Sequence, residues 1–375
     1  MRTLEDILHP VTPAQFRAEY EGRQPLHIPA AAGSPKRDLL TWDAFNGLLN
    51  QSNVWTSERL QLMHHDAAVP PEQYCRLKRT PEGHVWRPSP AKVEVFLSAG
   101  ASILANDVMT LHSPITHAAV ALGEALAAEV GASVFCSFKG GRAVATHYDV
   151  HEVFAVQTSG EKVWNLYEGR EVDPVGYPPG ATQADFNRAC GRLVSTVTMK
   201  PGDVLYMPRG VYHDTVTPDQ PSLHVSFTAM PLTGRGILSL LDGPALQDPA
   251  FRAWLPAADA EGGALLQARL AELAGRLAEI VASPAFRDEV ALLQRRLMPR
   301  AADFSLPVRK PANLYRTTGR AFPDQGPLVR RVFDWMIEER QFAVEDLVAE
   351  MDSLSEAAVR DAVASAERAG AIQLV

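Results

Sequence analysis

His147 and Asp149 stand two residues apart in the stretch THYDVHEVFAVQTSGEKVWNLYEG, and His213 follows in PGDVLYMPRGVYHDTV. Two imidazoles and one carboxylate are the ligand set that holds a non-haem Fe(II) on one face and leaves the opposite positions open for substrate and oxygen. The surrounding run is rich in Val, Phe and Tyr, which predicts a strand with His147 and Asp149 projecting from one side. His213 must then come from a neighbouring strand.

A bare His-x-Asp pair carries little weight. With 11 histidines and 44 acidic residues among 375, chance alone supplies such pairs, and His64 with Asp66 forms another. The run that follows it, Ala67 to Pro71, offers no third ligand in a comparable frame and reads as a surface loop. After Asp149 the pattern is ordered. Glu152 to Thr158 reads as a strand, Ser159-Gly160 as its turn and Glu161 to Tyr167 as the return strand, with Lys162, Trp164 and Leu166 on one face.

Four elements occur in order between Ser137 and Phe227: Thr-His-Tyr-Asp, then Gln157-x-x-Gly160-x-Lys162-x-Trp164, then Pro201-Gly202-Asp203-x-Leu205-Tyr206-x-Pro208-x-Gly210-x-x-His213, then Ser222-Leu223-His224-Val225-Ser226. This series resembles the JmjC-type ribosomal oxygenases. The resemblance implies an α+β chain built on a double-stranded β-helix, the JmjC/cupin barrel, and an Fe(II)- and 2-oxoglutarate-dependent enzyme that uses O2 to hydroxylate side chains of ribosomal proteins. It makes His147, Asp149 and His213 the metal ligands. Lys162, fifteen residues after His147, takes the place of the basic anchor for the cosubstrate's far carboxylate, and Ser137, ten before it, that of a hydroxyl able to bond the same group. A charge on a face shared with Trp164 and Leu166 is explained by such a partner, since a lone buried ammonium is costly. The alternative for Lys162 is a solvated side chain just after a hairpin turn.

The last strand offers a check by parity. His224, Ser226 and Thr228 alternate with Leu223, Val225 and Phe227, so the polar face could turn toward the metal and cosubstrate while the apolar face packs on helices. His224 then contacts 2-oxoglutarate, as an Asn or His does in relatives, or is a hydrogen-bonded core histidine. His151 shares parity with His147 but lies about 13 Å along an extended strand, too far for a third ligand. It belongs at the substrate mouth or in solvent.

Composition sets the outer limits. A chain of 375 residues, 46% apolar and 21% charged, suits a folded protein of two or three domains. Cys75, Cys136 and Cys190 lack Cys-x-x-Cys spacing, which argues against a disulfide framework or a thiolate zinc site and fits a reducing cytoplasm. MRTLEDILHPVT has no apolar core of signal length, so neither export nor a membrane span is expected. A net charge of -8 disfavours direct nucleic-acid binding and suits a basic protein or peptide substrate.

Three regions are expected: a catalytic domain over 1–230, a helical region over 231–300 and a winged-helix domain over 301–375. Within the first, Pro25-Leu26-His27-Ile28 is similar to the segment that precedes the barrel in the family, residues 115–130 read as a helix, and Ser133 to Phe138 as the first core strand. In the second, Leu266, Leu270, Leu273, Leu277 and Ile280 recur at alternating spacings of four and three, a seam that needs a partner helix. The resemblance makes this a homodimer seam; packing within one subunit is the alternative. In the third, VRRVFDWMIEE, VEDLVAEM and SEAAVRDAVASAERAG read as helices, Ser355 as an N-cap, Gly370 as a stop and AIQLV as a closing strand. Lys310 to Val375 holds 8 basic and 11 acidic residues, which points to a structural or protein-docking role rather than DNA binding.

Three other readings compete with a ribosomal-protein hydroxylase. One is a hydroxylase of a ribosomally made peptide or another protein. A cupin isomerase or a dioxygenase without 2-oxoacid needs no anchor at Lys162. A non-catalytic binding protein or regulator acting through the winged helix needs no ligand triad.

Overall fold

The computed structural model describes residues 1–81, 83–138, 144–218, 220–299, 314–351 and 354–375. The chain divides into two compact units, Met1–Ala302 and Asp303–Val375. The boundary expected at residues 300–301 lies outside the described residues.

In the first unit the strands are β1 (Leu26–Ile28), β2 (Leu60–His64), β3 (Ala67–Ala68), β4 (Cys75–Thr80), β5 (Gly83–Pro88), β6 (Ser102–Ala105), β7 (Ala128–Ser137), β8 (Glu152–Ser159), β9 (Lys162–Arg170), β10 (Leu193–Met199), β11 (Val204–Met207), β12 (Val211–Val216) and β13 (Ser222–Pro231). Eight of these join in the order β1-β11-β8-β13-β7-β6-β2-β3, and three in the order β10-β9-β12. From β8 onward the chain crosses between the two sheets: β8, β11 and β13 belong to the larger one, β9, β10 and β12 to the smaller. Their pairings are antiparallel. This is the double-stranded β-helix that the sequence led us to expect.

Side-chain alternation divides the apolar residues into two layers. On β8, Phe154 and Val156 join the main core with Ile115 and Leu122 of the helix Ser113–Leu126, while Val153 and Ala155 pack with Trp164, Leu166, Leu205 and Met207 of the neighbouring strands. Burial on both faces explains why β8 reads as a continuous apolar run. On β13, Leu223, Val225 and Phe227 belong to the main core, which leaves His224, Ser226 and Thr228 for the other face.

Several local expectations need correction. The Ala-rich helix ends at Leu126 rather than at residue 130, because Ala127 turns into a left-handed conformation and Ala128 to Val130 pair with Ala229 to Pro231. Strand pairing overrides the helix propensity of alanine there, so β7 starts at Ala128 and ends at Ser137. The segment after the Ser159-Gly160 turn does not return beside β8. It enters the other sheet, and β9 pairs with β10 and β12. Residues 146–150 form no strand. His147 alone makes a bridge, to His213. His64 ends β2 and Asp66 lies in the turn of the small β2–β3 hairpin.

The seam helix spans Ala264–Ala282 and touches the helices Gly234–Gln247 and Pro284–Leu297. Leu266, Leu273, Leu277 and Ile280 are half-buried, whereas Leu270 is 51% exposed. No helix among the described residues is long and apolar enough to cross a membrane.

The second unit contains the helices Pro327–Glu339, Val344–Glu350 and Glu356–Arg368 and the strands β14 (Leu314–Thr317), β15 (Gln341–Ala343) and β16 (Ile372–Leu374), in sheet order β15-β14-β16. Val332, Phe333, Leu347, Val359 and Ile372 form its core. The Ser355 hydroxyl accepts from the Ala358 amide at the last helix's start, and Gly370 beyond its end takes φ +70°. β14 and β15 are too short to leave a period in the sequence.

Gly160 is the pivot of the sheet switch. Its φ is +62°, and a Cβ there would lie 1.9 Å from the Pro221 carbonyl oxygen. Gly160→Ala should therefore lower the unfolding free energy by roughly 1–3 kcal/mol from backbone strain alone, with more from the clash. Urea unfolding checks this, and an unchanged midpoint would show that the turn is free to relax.

Candidate metal and cosubstrate site

Two backbone hydrogen bonds clip the His147 segment to β12: the His147 amide donates to the His213 carbonyl at 3.0 Å, and the His213 amide donates back at 2.8 Å. Between the two candidate ligands, Tyr148 turns the opposite way and is 2% exposed, packed against Tyr177, Tyr212 and Phe186. The Tyr177 hydroxyl donates to the Tyr148 carbonyl, and the Gly210 amide to the Asp149 carbonyl. Burying Tyr148 thus aims its neighbours His147 and Asp149 at the same cavity, although the segment is no strand.

There the candidate donor atoms of His147, Asp149 and His213 all lie within 4.8 Å of one another. The Asp149 carboxylate is 3.9 Å from His147 Nε2 and 3.5 Å from His213 Nε2. Each imidazole has its other nitrogen occupied, His147 Nδ1 with the Ala145 carbonyl and His213 Nδ1 with the Val211 carbonyl. In a neutral ring, an Nδ1–H donated to a carbonyl leaves the Nε2 lone pair facing the carboxylate, the tautomer a metal needs. Burial, followed by the adjacent His147, lowers the His213 pKa to about 4, so this ring is neutral near pH 7. The donor set fits a divalent ion.

Beneath the ligands, buried Asp214 accepts from the Thr146 hydroxyl at 2.9 Å, the Asn165 amide at 2.8 Å and the Tyr167 hydroxyl at 2.6 Å. These bonds tie the residue before His147 and the residue after His213 to β9. Trp164 lies against the His213 ring at 5.7 Å between centroids.

Lys162 is fully buried, which rules out the solvated alternative. Its ammonium donates to the hydroxyls of Ser137 at 2.9 Å and Thr217 at 2.8 Å. Burial pushes its pKa down to about 8. No carboxylate pairs with it among the described residues, and two hydroxyls leave the third ammonium hydrogen for an anion. His224 is also buried, stacked on Phe135 at 4.9 Å and edge-on to Trp164 at 5.6 Å. Burial first, and the Lys162 ammonium second, hold its pKa well below the usual imidazole value. Its Nδ1 and the Trp164 Nε1 are buried without a hydrogen-bond partner among the described residues. Buried polar atoms of this kind call for a ligand or water.

The ligands open on a cavity of about 210 Å³, whose walls include Phe135, Trp164, His224, Ser226 and Thr228. His224 and its polar strand face therefore point where parity placed them. Lys162 and Ser137 do not line this cavity; the structure brings them to each other and to Thr217, beside His224. Sequence reading missed Thr217, Thr215 and Asp214. The first two share parity with His213 along β12 and its extension, a signal that was present. Asp214 faces the opposite way, and only the fold reveals its partners. Asn106, which accepts from the Ser133 hydroxyl at 2.9 Å in the same wall, comes from a distant segment without any local signal.

The buried lysine has a sign that can be measured. Its folded pKa of about 8 lies below the ordinary 10.5, so between these values the unfolded chain binds more protons and stability rises with pH. In Lys162→Met that contribution disappears. Urea unfolding from about pH 7.5 to about pH 10 should show wild type gaining stability relative to the variant as pH rises. A pH-independent difference would mean that the ammonium is better solvated than its burial implies.

Comparison with known proteins gives these residues a lineage. Residues 110–235 match the JmjC domain family model. The chain is 26% identical over 224 residues to the bifunctional lysine-specific demethylase and histidyl-hydroxylase NO66 of Dictyostelium discoideum, covering 60% of this chain and 42% of that protein. It is 27% identical over 265 residues to ribosomal oxygenase 1 of Danio rerio, covering 68% and 46%. With ribosomal oxygenase 2 of Bos taurus it shares 33% identity over 135 residues, 34% and 28% of the two chains. The chain thus spans less than half the length of these curated relatives. Among solved structures, E. coli YcfD superposes with a TM-score of 0.50 at 16% identity, over 97% of this chain and 98% of that one, a likeness of fold. Residues 110–235, which take in the loop carrying His147 and Asp149 and the strands carrying Lys162 and His213, thus form a JmjC domain, and the chain is similar to the ribosomal oxygenases.

Proposed function

We propose that this chain is an Fe(II)- and 2-oxoglutarate-dependent oxygenase that hydroxylates a side chain of a ribosomal protein. The observation that carries the reading is the convergence of His147, Asp149 and His213 on one cavity, with donor atoms within 4.8 Å. Ferrous iron with 2-oxoglutarate and O2 supplies the oxidising power, converting a substrate C–H to C–OH as the cosubstrate becomes succinate and CO2. The protein's part is binding and orientation. His147 and His213 present Nε2 because their Nδ1 atoms are held by backbone carbonyls. Lys162, with the Ser137 and Thr217 hydroxyls beside it, receives the far carboxylate of 2-oxoglutarate, and His224 offers it a neutral nitrogen. Leu104, Phe135 and Val153 add apolar surface between the polar groups of the wall, which limits water at the reacting centre.

The buried ammonium, which has no carboxylate partner among the described residues, favours this reading over a cupin isomerase or a dioxygenase without 2-oxoacid. The printed functions of the relatives, ribosomal oxygenase and histidyl-hydroxylase, support a protein substrate, and the net charge of -8 suits a basic one. We read the second unit as a winged helix in a structural or docking role. Its last helix spends Arg360 on Glu356 and Glu345, which leaves little for phosphate. Exposed apolar residues on and beside the helical region, Leu238, Trp254 and Leu270, support pairing of two copies there.

Asp149→Ala should abolish 2-oxoglutarate turnover and leave the unfolding midpoint near that of wild type, since no core contact depends on the carboxylate. In cells that lack the enzyme, intact-mass analysis should show one ribosomal protein lighter by one oxygen, restored by wild type and not by Asp149→Ala. Full restoration by the variant would remove this site from the reaction; no mass difference on any ribosomal protein would move the substrate to a peptide or another protein.

Assembly has its own test. Leu270→Glu combined with Leu277→Glu places charge in the seam, so light scattering should find wild type as a dimer and the double variant as a monomer. A wild-type protein already monomeric at micromolar concentration would assign the seam to packing within one subunit.

A further inference from the structure

Beside the metal cavity lies a second, larger pocket of about 530 Å³, and His151 lines both. The inner cavity, at about 210 Å³, has space for a single side chain rather than a length of polypeptide. Whatever joins an entering side chain to the rest of its protein must therefore lie outside it, on the far side of His151.

The outer pocket suits a main chain. Val175, Met230 and Leu232 give it apolar surface. Its charged members are Glu152, Arg209 and Arg235. The first two are already engaged: Glu152 accepts from the Tyr206 hydroxyl and, at 3.5 Å, from the Arg209 amide, and the Arg209 guanidinium pairs with Asp173 at 2.8 Å. Arg235 is exposed and makes no ion pair or side-chain hydrogen bond among the described residues. At the threshold, His151 Nδ1 is buried and has no hydrogen-bond partner among the described residues. A solvated histidine would satisfy that atom with water. A nitrogen buried without a partner, on a residue that lines both pockets, holds an unused donor or acceptor, at a free-energy cost that a bound partner removes.

We propose that the outer pocket binds the stretch of substrate polypeptide next to the oxidised residue, that His151 Nδ1 hydrogen-bonds a peptide group of that stretch, and that Arg235 donates to its carbonyl oxygens. This rests on the reading of the chain as an oxygenase of proteins. It gives His151 a role in substrate binding that is independent of the metal and of 2-oxoglutarate, and it places a carbonyl-rich main chain, not a basic side chain, against Arg235.

The test uses unmodified ribosomal proteins extracted from cells that lack the enzyme, oxidised by the full-length wild type, His151→Phe, His151→Asn and Arg235→Ala, with product followed by intact mass. Phenylalanine keeps the ring and loses the hydrogen bond; asparagine places a polar atom near the position of Nδ1. His151→Phe should raise KM for the protein substrate about three- to tenfold, the value of one hydrogen bond, with kcat within about twofold of wild type. His151→Asn should restore KM to within about twofold, and Arg235→Ala should raise it by a factor similar to that of His151→Phe. Calorimetric titration of 2-oxoglutarate into the Co(II)-loaded proteins should give the same affinity for all four. Wild-type KM in His151→Phe would overturn the proposal. A loss of 2-oxoglutarate affinity in that variant, or failure of asparagine to rescue, would also overturn it by making His151 a structural support of the inner cavity. If wild type binds 2-oxoglutarate but oxidises no protein in the mixture, the ribosomal substrate itself falls, and this inference falls with it.

Discussion

The exchange of two backbone hydrogen bonds between His147 and His213 is the contact on which the rest of the site depends. Each imidazole belongs to a segment that has no other reason to approach the other: His213 sits in β12 of the smaller sheet, while His147 lies in a loop that leads into β8 of the larger one. The bridge sets their ring centroids 4.4 Å apart and fixes their register. Asp149 follows automatically, because the residue between it and His147 is a tyrosine whose ring is anchored in an aromatic cluster on the opposite side. A hydrophobic contact thus orients a polar site. The same bridge lets Asp214 reach Thr146, so both ligand segments are held to β9 through one buried carboxylate.

Around this clasp the fold concentrates unsatisfied polarity. A barrel interior lined by Val153, Ala155, Leu205 and Met207 would be more stable with apolar residues at positions 162 and 224. The chain instead buries an ammonium against two hydroxyls and an imidazole whose Nδ1 has no hydrogen-bond partner among the described residues. Neutral His213 and neutral His224 are both consequences of burial, and the ammonium reinforces the second. Stability is surrendered at places where an anion and a cation could restore it on binding, which is how local exceptions to packing rules identify a functional site.

Chemistry was the most legible layer of the sequence. Residue type and spacing, together with the family resemblance they carry, pointed to His147, Asp149 and His213, and parity placed the polar face of β13 inward, because side-chain alternation is a local property of any strand. The capping of the last helix by Ser355 and its stop at Gly370 were legible for the same reason: both depend on a few neighbouring residues. Local propensity misled where pairing partners came from afar, as at Ala128 to Val130, which the Ala-rich composition assigned to a helix and β13 drew into a strand.

What the sequence by itself determined, then, is the inventory: which donors exist, which strand faces are polar, and where turns must fall. Tertiary structure decided which of them meet. The turn at Ser159-Gly160 looks like a hairpin in sequence and becomes a crossing between sheets, since the close approach of Gly160 to Pro221 is a long-range contact. That crossing, invisible to any local period, carries Lys162 away from β8 and into the interior beside Thr217 and Ser137. Burial of an ammonium, the neutrality of two histidines and the meeting of two cavities at His151 all arise from distances between remote segments, and such distances are not encoded in spacing along the chain.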